Sequence, residues 1–372
     1  MRIFDRSLTI FTLVMAVGAG TIIIGFLAFG TPIFSQFTVG LLGKYLCFAI
    51  LALAIDLVWG YMGVLSLGHG AFFALGGYAF GMYLMRQIGA QGVYGDAVLP
   101  DFMVFIGFET LPWYWRGSQH FLVAVLLVIL APGLLALVFG WTAFRSRVSG
   151  VYFSIISQAL TYALSLAFYL NALGFGGNNG FTDFKTILGY DVQEKGMTAA
   201  LFGASALLLW LAVLSSRYLL RSRLGLAVLA IRDNEARVRF AGYKVENVQV
   251  AVFTFSAIIA GLGGALYVPQ AGIINPSVFA PIFSIEMVAC VALGGRGFMY
   301  GAIIGAFVVN YAKSRLSTEA PDLWPFILGF LFILTTVFGQ GGVFALGRFI
   351  WPRKVKADPF KTVKEEPHKG VG

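Results

Sequence analysis

Three ionisable side chains, Lys44, Asp56 and Glu286, fall within or beside stretches that are otherwise apolar. A charge at the centre of a hydrocarbon layer costs at least about 2.5 kcal/mol on insertion scales, so such residues usually face a cavity or a partner. Lys44 and Asp56 are twelve residues apart. That is about 18 Å along a helix, too far for them to pair within one. Asp56 lies near the expected inner end of its segment, where simply reaching the interface competes with lining a path. Glu286, six residues into its segment, suits a solvated end and the mouth of a path equally. The run 63–73, GVLSLGHGAFF, sets Ser66 and His69 among small residues at a helix junction. Its glycines allow a helix to break, and the hydroxyl and imidazole can satisfy exposed backbone groups or contact a polar solute. Packing alone would also account for the glycines, and a lone histidine in such a place is more often structural than catalytic. His120 and His368 give no ligand spacing, and Cys47 and Cys290 sit inside apolar runs, so neither a metal nor a disulfide is assigned. No Gly-x-x-x-x-Gly-Lys-Ser/Thr, His-Glu-x-x-His or Gly-x-Ser-x-Gly occurs. ATP hydrolysis would therefore need another chain, the simplest protease and hydrolase chemistries are removed, and an enzyme is not expected.

The other polar concentration is Arg217 to Asn247, 31 residues carrying seven basic side chains between two long apolar segments. A short helix is predicted around Arg232–Arg237, stopping near Gly242, because glycine just past a basic last turn is a common terminator. A structured polar loop of this size between apolar segments suggests docking to something in the cytoplasm. Val228, Ile231 and Val238 would give it an apolar edge and Arg232, Arg237 and Arg239 its charge contacts, the plain alternative being arginines that only anchor topology.

The elements that must hold these residues are membrane helices. At 59% hydrophobic and 12% charged, with mean hydropathy +0.84, 372 residues have too little polar surface to cover a soluble globule. The net charge of +9 lies in short blocks between apolar runs, which fits membrane topology and not nucleic acid. The fold class expected is all-α, a polytopic membrane protein of about ten transmembrane helices. The segments are 8–30, 39–59, 71–88, 121–141, 150–170, 198–216, 248–268, 281–294, 298–311 and 323–339. With the N-terminus inside, cytoplasmic segments collect 19 Lys and Arg against six outside, so both termini are predicted to be cytoplasmic. The pair 281–294 and 298–311 could instead be a re-entrant pair of half-helices, which leaves the parity unchanged. The first segment has no small-residue cleavage pattern and is expected to be retained.

Residues 1–350 thus form a transmembrane domain with the 217–247 loop. The tail 351–372, with Pro352, Pro359 and Pro367 among mixed charges, reads as a disordered cytoplasmic end. The outer loops 89–120 and 171–197 are long and aromatic-rich and could cap an outer mouth. An internal repeat of helix sets is suggested by Ile55-Asp56-Leu57-Val58 before Gly70-Ala71-Phe72-Phe73, set against Ile285-Glu286-Met287-Val288 before Gly301-Ala302-Ile303-Ile304. Chance likeness between Gly/Ala-rich helices is its rival.

Five blocks in order, GYMGVLSLGHGAFFALGGYAFGMYL (60–84), GGNNGFTDF (176–184), RSRLGLAVLAIRDNEARVRFAGYKV (221–245), AGLGGALYVPQAGIINPSVF (260–279) and VALGGRGFMYGAIIGAF (291–307), resemble the LivM-type permeases of bacterial ABC importers. The 176–184 loop, the Tyr-Val-Pro-Gln and Ile-Ile-Asn-Pro runs and Gly-Gly-Arg-Gly are most similar to the UrtC-like, urea-importing branch. The resemblance implies a bacterial inner-membrane subunit working with a second LivH-like permease, two cytoplasmic ABC ATPases that use the ATP, and a periplasmic solute-binding protein. No cofactor is expected on this chain itself. It also implies that the 217–247 loop holds the coupling helix, with Val228, Ile231, Arg232, Glu235, Arg237, Arg239 and Gly242 at the ATPase. Glu235-Ala236 is followed by Arg237 here, a departure from the family's Glu-Ala-Ala…Gly pattern. A neutral solute such as urea needs hydrogen-bond partners without a compensating charge, for which Ser66, Asn178 and Asn179 are candidates. His69, Asp56 and Glu286 complete the candidate path. The alternatives are import of branched-chain amino acids and, from another class, a stand-alone channel or ion-coupled carrier.

Overall fold

A computed structural model describes residues 6–29, 35–148, 150–320 and 323–338. Both chain ends, including the 351–372 tail expected to be disordered, lie outside them. The protein is an all-α polytopic membrane protein. Helices occupy all ten predicted segments: α1 (Arg6–Phe29), α2 (Gln36–Asp56), α3 (His69–Ile88), α5 (Phe121–Arg145), α6 (Val151–Tyr169), α7 (Lys195–Arg221), α9 (Val245–Ala271), α10 (Pro281–Gly294), α11 (Met299–Glu319) and α12 (Trp324–Phe338). Two more, α4 (Asp101–Ile106) and α8 (Arg223–Phe240), lie in loops. Among the described residues six helices are long and apolar enough to cross a membrane singly, namely α1, α2, α5, α6, α7 and α9. Helices α10 and α11 pass only as a pair bent by 120°. The two segments after Pro281 form a sharp helical hairpin, a shape common to a broken span and a re-entrant pair.

Helix α2 is the axis of the bundle, buried along most of its length and packed by α7, α9, α10 and α11. Its wall is closed by a seam between α3 and α9 in which backbones touch: a Cβ on Gly76 would strike the Gly261 carbonyl, and one on Gly264 the Phe73 carbonyl. The same device closes the hairpin, where Gly294 and Gly301 face each other. Without a hydrophobic drive between helices in lipid, such close approach is what dispersion can use. Leucine-rich α5, by contrast, turns Leu122, Leu126, Leu130, Leu134 and Leu137 outward from the bundle.

At the end away from α8 the two long loops pack on one another. Tyr114 donates to the Leu173 carbonyl at 2.6 Å, Trp115 to that of Gly174 at 3.3 Å, and Lys185 to that of Gln91 at 2.6 Å. Two short antiparallel ladders stitch this cap. β1 (Phe181–Thr182) pairs with β4 (Ile273–Ile274), Phe181 opposite Ile274, and β2 (Thr186–Ile187) pairs with β3 (Tyr190–Asp191).

Candidate functional site

The junction read from glycines is a true break in the helix. Helix α2 ends in a widened turn, Leu57–Tyr61, and no helix resumes until His69. Peptide groups freed inside a membrane must be satisfied by protein, and a hydroxyl stripe on α6 does this. Ser157 accepts from the Leu67 N–H at 3.0 Å, Ser154 donates to the Leu65 carbonyl at 2.8 Å, and Thr161 to the Leu67 carbonyl at 3.4 Å. Ser66 is buried and accepts from Gly68 N–H at 3.2 Å, so its hydroxyl serves its own turn. His69 opens α3 with Nε2 at 2.7 Å from the Ser256 hydroxyl, which itself donates to the Ala54 carbonyl at 2.7 Å. Because that hydroxyl has one proton, His69 must be the donor and carries a hydrogen on Nε2, while its Nδ1 is buried and has no partner among the described residues. The next residue, Gly70, donates to Ser284 on α10 at 3.2 Å, so the first turns of α3 and α10 meet inside the protein.

One turn from Ala54, a second cluster gathers at the basic end. Asp56 is fully buried, and its Oδ1 accepts from the Gly297 N–H at 2.7 Å in the α10–α11 turn. The neighbouring Arg296 lies over the Trp59 ring at 5.4 Å. Tyr61 accepts from Met299 N–H at 3.4 Å. From below, Arg232 on α8 donates to the Gly60 carbonyl at 3.0 Å. The end of α2, the hairpin turn and α8 are thus one bonded unit.

Helix α8 starts at Ser222, whose hydroxyl accepts from Gly225 N–H at 3.3 Å. The expected unbroken helix around Arg232–Arg237 is corrected: Asn234 is extended (φ −161°, ψ 98°), and its side chain accepts from Arg237 N–H at 3.0 Å, capping a second short segment. The stop is at Gly242, which follows the last helical turn at φ +86°. The expected apolar edge also needs correcting. Val228, Ile231 and Val238 are buried against the membrane body, Val238 also bordering a surface groove, and the large apolar groups left exposed include Leu224, Leu226, Tyr243 and Phe240, the last 92% exposed. Of the three arginines, Arg232 holds Gly60, and Arg239 clamps Glu235 at 2.8 Å and Glu246 at 3.0 Å. The bonded Glu235 carboxylate holds the Arg239 guanidinium even further toward its charged form. Arg237 stays exposed and lines, with Leu226, Ala230, Asp233, Asn234 and Tyr243, a groove of about 550 Å³.

The remaining candidates are not brought here. Glu286 is buried on α10 between Lys313, at 2.7 and 2.9 Å, and the Trp324 indole, at 3.0 Å. Lys313, assigned to an outer loop by hydropathy, is inside α11. Asn178 and Asn179 are exposed in a tight turn of the opposite cap. Ser154, Ser157, Thr161, Ser256 and Ser284 were missed. For Ser154, Ser157 and Thr161 the sequence signal is the helical spacing of hydroxyls in α6, visible once one asks what satisfies a broken backbone, whereas Ser256 and Ser284 belong to no such stripe on α9 and α10.

Residues 37–336 match the family described as branched-chain amino acid transport system, permease component. The chain is 26% identical over 319 residues to the high-affinity branched-chain amino acid transport permease LivM of Escherichia coli K12, covering 84% of this chain and 71% of that one. It is 29% identical over 168 residues to the autoinducer 2 import permease LsrC of Photorhabdus laumondii, covering 42% and 50%. With the ribose import permease RbsC of Escherichia coli K12 it shares 24% over 203 residues, 53% and 61% of the two chains. No solved structure matches.

Proposed function

The chain belongs to the branched-chain amino acid transport system permease family, the non-catalytic membrane subunits of ABC importers, and from that premise we propose that its solute is urea. The assembly would comprise this subunit, a second LivH-like permease, two ATPases docked on α8 and a periplasmic binding protein, in a bacterial inner membrane with both termini cytoplasmic. The observation that carries the coupling is the Arg232 bond to Gly60, which ties α8 to the end of α2 beside the Asp56–Gly297 contact. ATPase closure would move α8, and with it the inner ends of α2 and the α10–α11 hairpin, opening the path inward after the binding protein has delivered its solute. Arg237 and the exposed Leu226, Phe240 and Tyr243 are then the docking groups, with Arg232, Glu235 and Arg239 positioning them.

Urea is supported by the likeness of residues 176–184, 267–276 and 294–297 to the urea-importing branch. A break whose inner partners are hydroxyls and one imidazole also suits a neutral solute. The rival is a branched-chain amino acid, favoured by the coverage of the LivM relative. Uptake of labelled urea and leucine, compared between cells carrying the intact operon and cells lacking this chain, separates the two. Loss of urea uptake alone on deletion supports the proposal, and loss of leucine uptake alone moves the chain to the amino-acid reading. Uptake that persists without the ATPases removes the coupling.

A further inference from the structure

At the end away from α8, where α2 and α7 begin and α9 ends, a cavity of about 330 Å³ is lined by Gln36, Lys44, Asp183, Gln193, Thr198 and Gln270. The larger crevices between α5, α7 and α9 are walled mainly by aliphatic and aromatic side chains, with Glu194 and Ser215 among the few polar ones, and suit acyl chains. This one is polar. Gln36 spans its rim, donating to the Gln193 carbonyl and, at 3.3 Å, to the Thr198 hydroxyl. Lys44 stands eight residues further along α2, about 12 Å deeper at the helical rise. Among the described residues its ammonium makes no hydrogen bond or ion pair. Gln270, from α9, has its amide fixed by donation to Ser205 at 2.8 Å and to the Leu266 carbonyl at 2.7 Å. That leaves its Oε1 buried and, among the described residues, without a partner. Gly43 makes the room, because a Cβ there would strike that oxygen.

Unmade hydrogen bonds at depth are costly, and a partly buried ammonium more so. Here Lys44 and Gln270 line one cavity from two helices, and the unpartnered Gln270 oxygen lies just beneath its wall, against Gly43. One turn from Lys44 on α2 and from Gln270 on α9, Phe48 and Tyr267 pack at tilted angles with Phe73 and Phe283, ring centroids 5.2 to 6.1 Å apart, deeper in the bundle than the cavity lining. We propose that this cavity is the outer binding vestibule of the transport path, in which Lys44 donates to a carbonyl or carboxylate oxygen of the solute and the Gln270 amide, turning its Oε1 from Gly43 into the cavity, accepts from its N–H groups. The aromatic cluster one turn deeper is the seal between it and the rest of the path. Urea and an amino acid both present that chemistry, as a carbonyl between amides or as a carboxylate beside an ammonium. The assignment rests on the importer reading and its orientation, and it is independent of which of the two solutes is carried.

The test uses the complete transporter in cells, with uptake of urea and of leucine measured at matched membrane levels. Lys44→Met and Gln270→Leu are expected to slow the carried solute at least tenfold, with Lys44→Arg retaining more than Lys44→Met. Wild-type rates in Lys44→Met would overturn the site. Since a loss of rate can also come from misfolding, Lys44→Cys in otherwise active transporter is treated with a membrane-impermeant thiol reagent from outside, the native Cys47 and Cys290 being buried. Modification that slows in excess urea or leucine is the expected result. No modification, or modification indifferent to both solutes, overturns the vestibule. Uptake of leucine in place of urea by the wild type would remove the urea proposal alone, and the Lys44 variants would still decide the site.

Discussion

Arg232 reaches across 172 residues to donate to the carbonyl oxygen of Gly60 at 3.0 Å. The contact explains the glycine three positions further on. Gly63 has φ +82°, and a Cβ on it would press on the Arg232 side chain at 2.9 Å. A displacement of α8 therefore acts on the end of α2 directly.

Arg232 and Arg237 should separate two roles that look alike in sequence. Arg232→Ala is expected to leave the ATPase subunit co-purifying with the permease while uptake falls about fivefold or more. Arg237→Glu should weaken co-purification itself. Loss of co-purification in Arg232→Ala at normal membrane levels would put that arginine at the docking face.

Asp56 acts through an acceptor oxygen at Gly297. Asp56→Asn keeps a carbonyl there and should retain most uptake and thermal stability in detergent. Asp56→Leu strands the Gly297 N–H and should cost about 1 kcal/mol or more. Equal melting temperatures for the two variants would show that the bond contributes nothing.

The Glu286 carboxylate is held by the Lys313 ammonium and the Trp324 indole. Lys313→Met leaves a buried charge facing one indole and should destabilise by about 1 to 3 kcal/mol, the lower part applying because Lys313 is itself 41% exposed. Adding Glu286→Gln should recover part of that loss. A double variant less stable than Lys313→Met would refute a simple pair.

The seam between α3 and α9 leaves no room for a methyl group. Gly76→Ala and Gly264→Ala, each meeting backbone, are expected to cut the folded yield in the membrane severely, whereas Gly20→Ala on α1, with nothing within 4 Å, should be silent. Fluorescence-detected size exclusion of the three variants reads this, and a monodisperse Gly76→Ala at wild-type level would count against the packing.

Much of the architecture was legible because hydropathy is a local property. Ten apolar runs became ten helices, and the glycines around Ser66 marked a real break. The stripe Val228, Ile231, Val238 was legible as apolar but not as buried, since periodicity says that a face seeks cover and not whether its own chain or a partner supplies it. Asn234 was hidden inside a basic run that reads as one helix, although asparagine competes for backbone N–H groups and favours caps.

The sequence by itself determined that the chain lives in a membrane, that it carries one structured basic loop and that isolated charges in apolar segments need partners. Only the tertiary structure decided which partners: Gly297 for Asp56, Lys313 and Trp324 for Glu286, Gly60 for Arg232, and an open cavity for Lys44. The reason is physical. Burial of an apolar run is fixed residue by residue, but a hydrogen bond between positions 241 apart exists only once helices pack closely enough, through glycine seams, to bring both ends together.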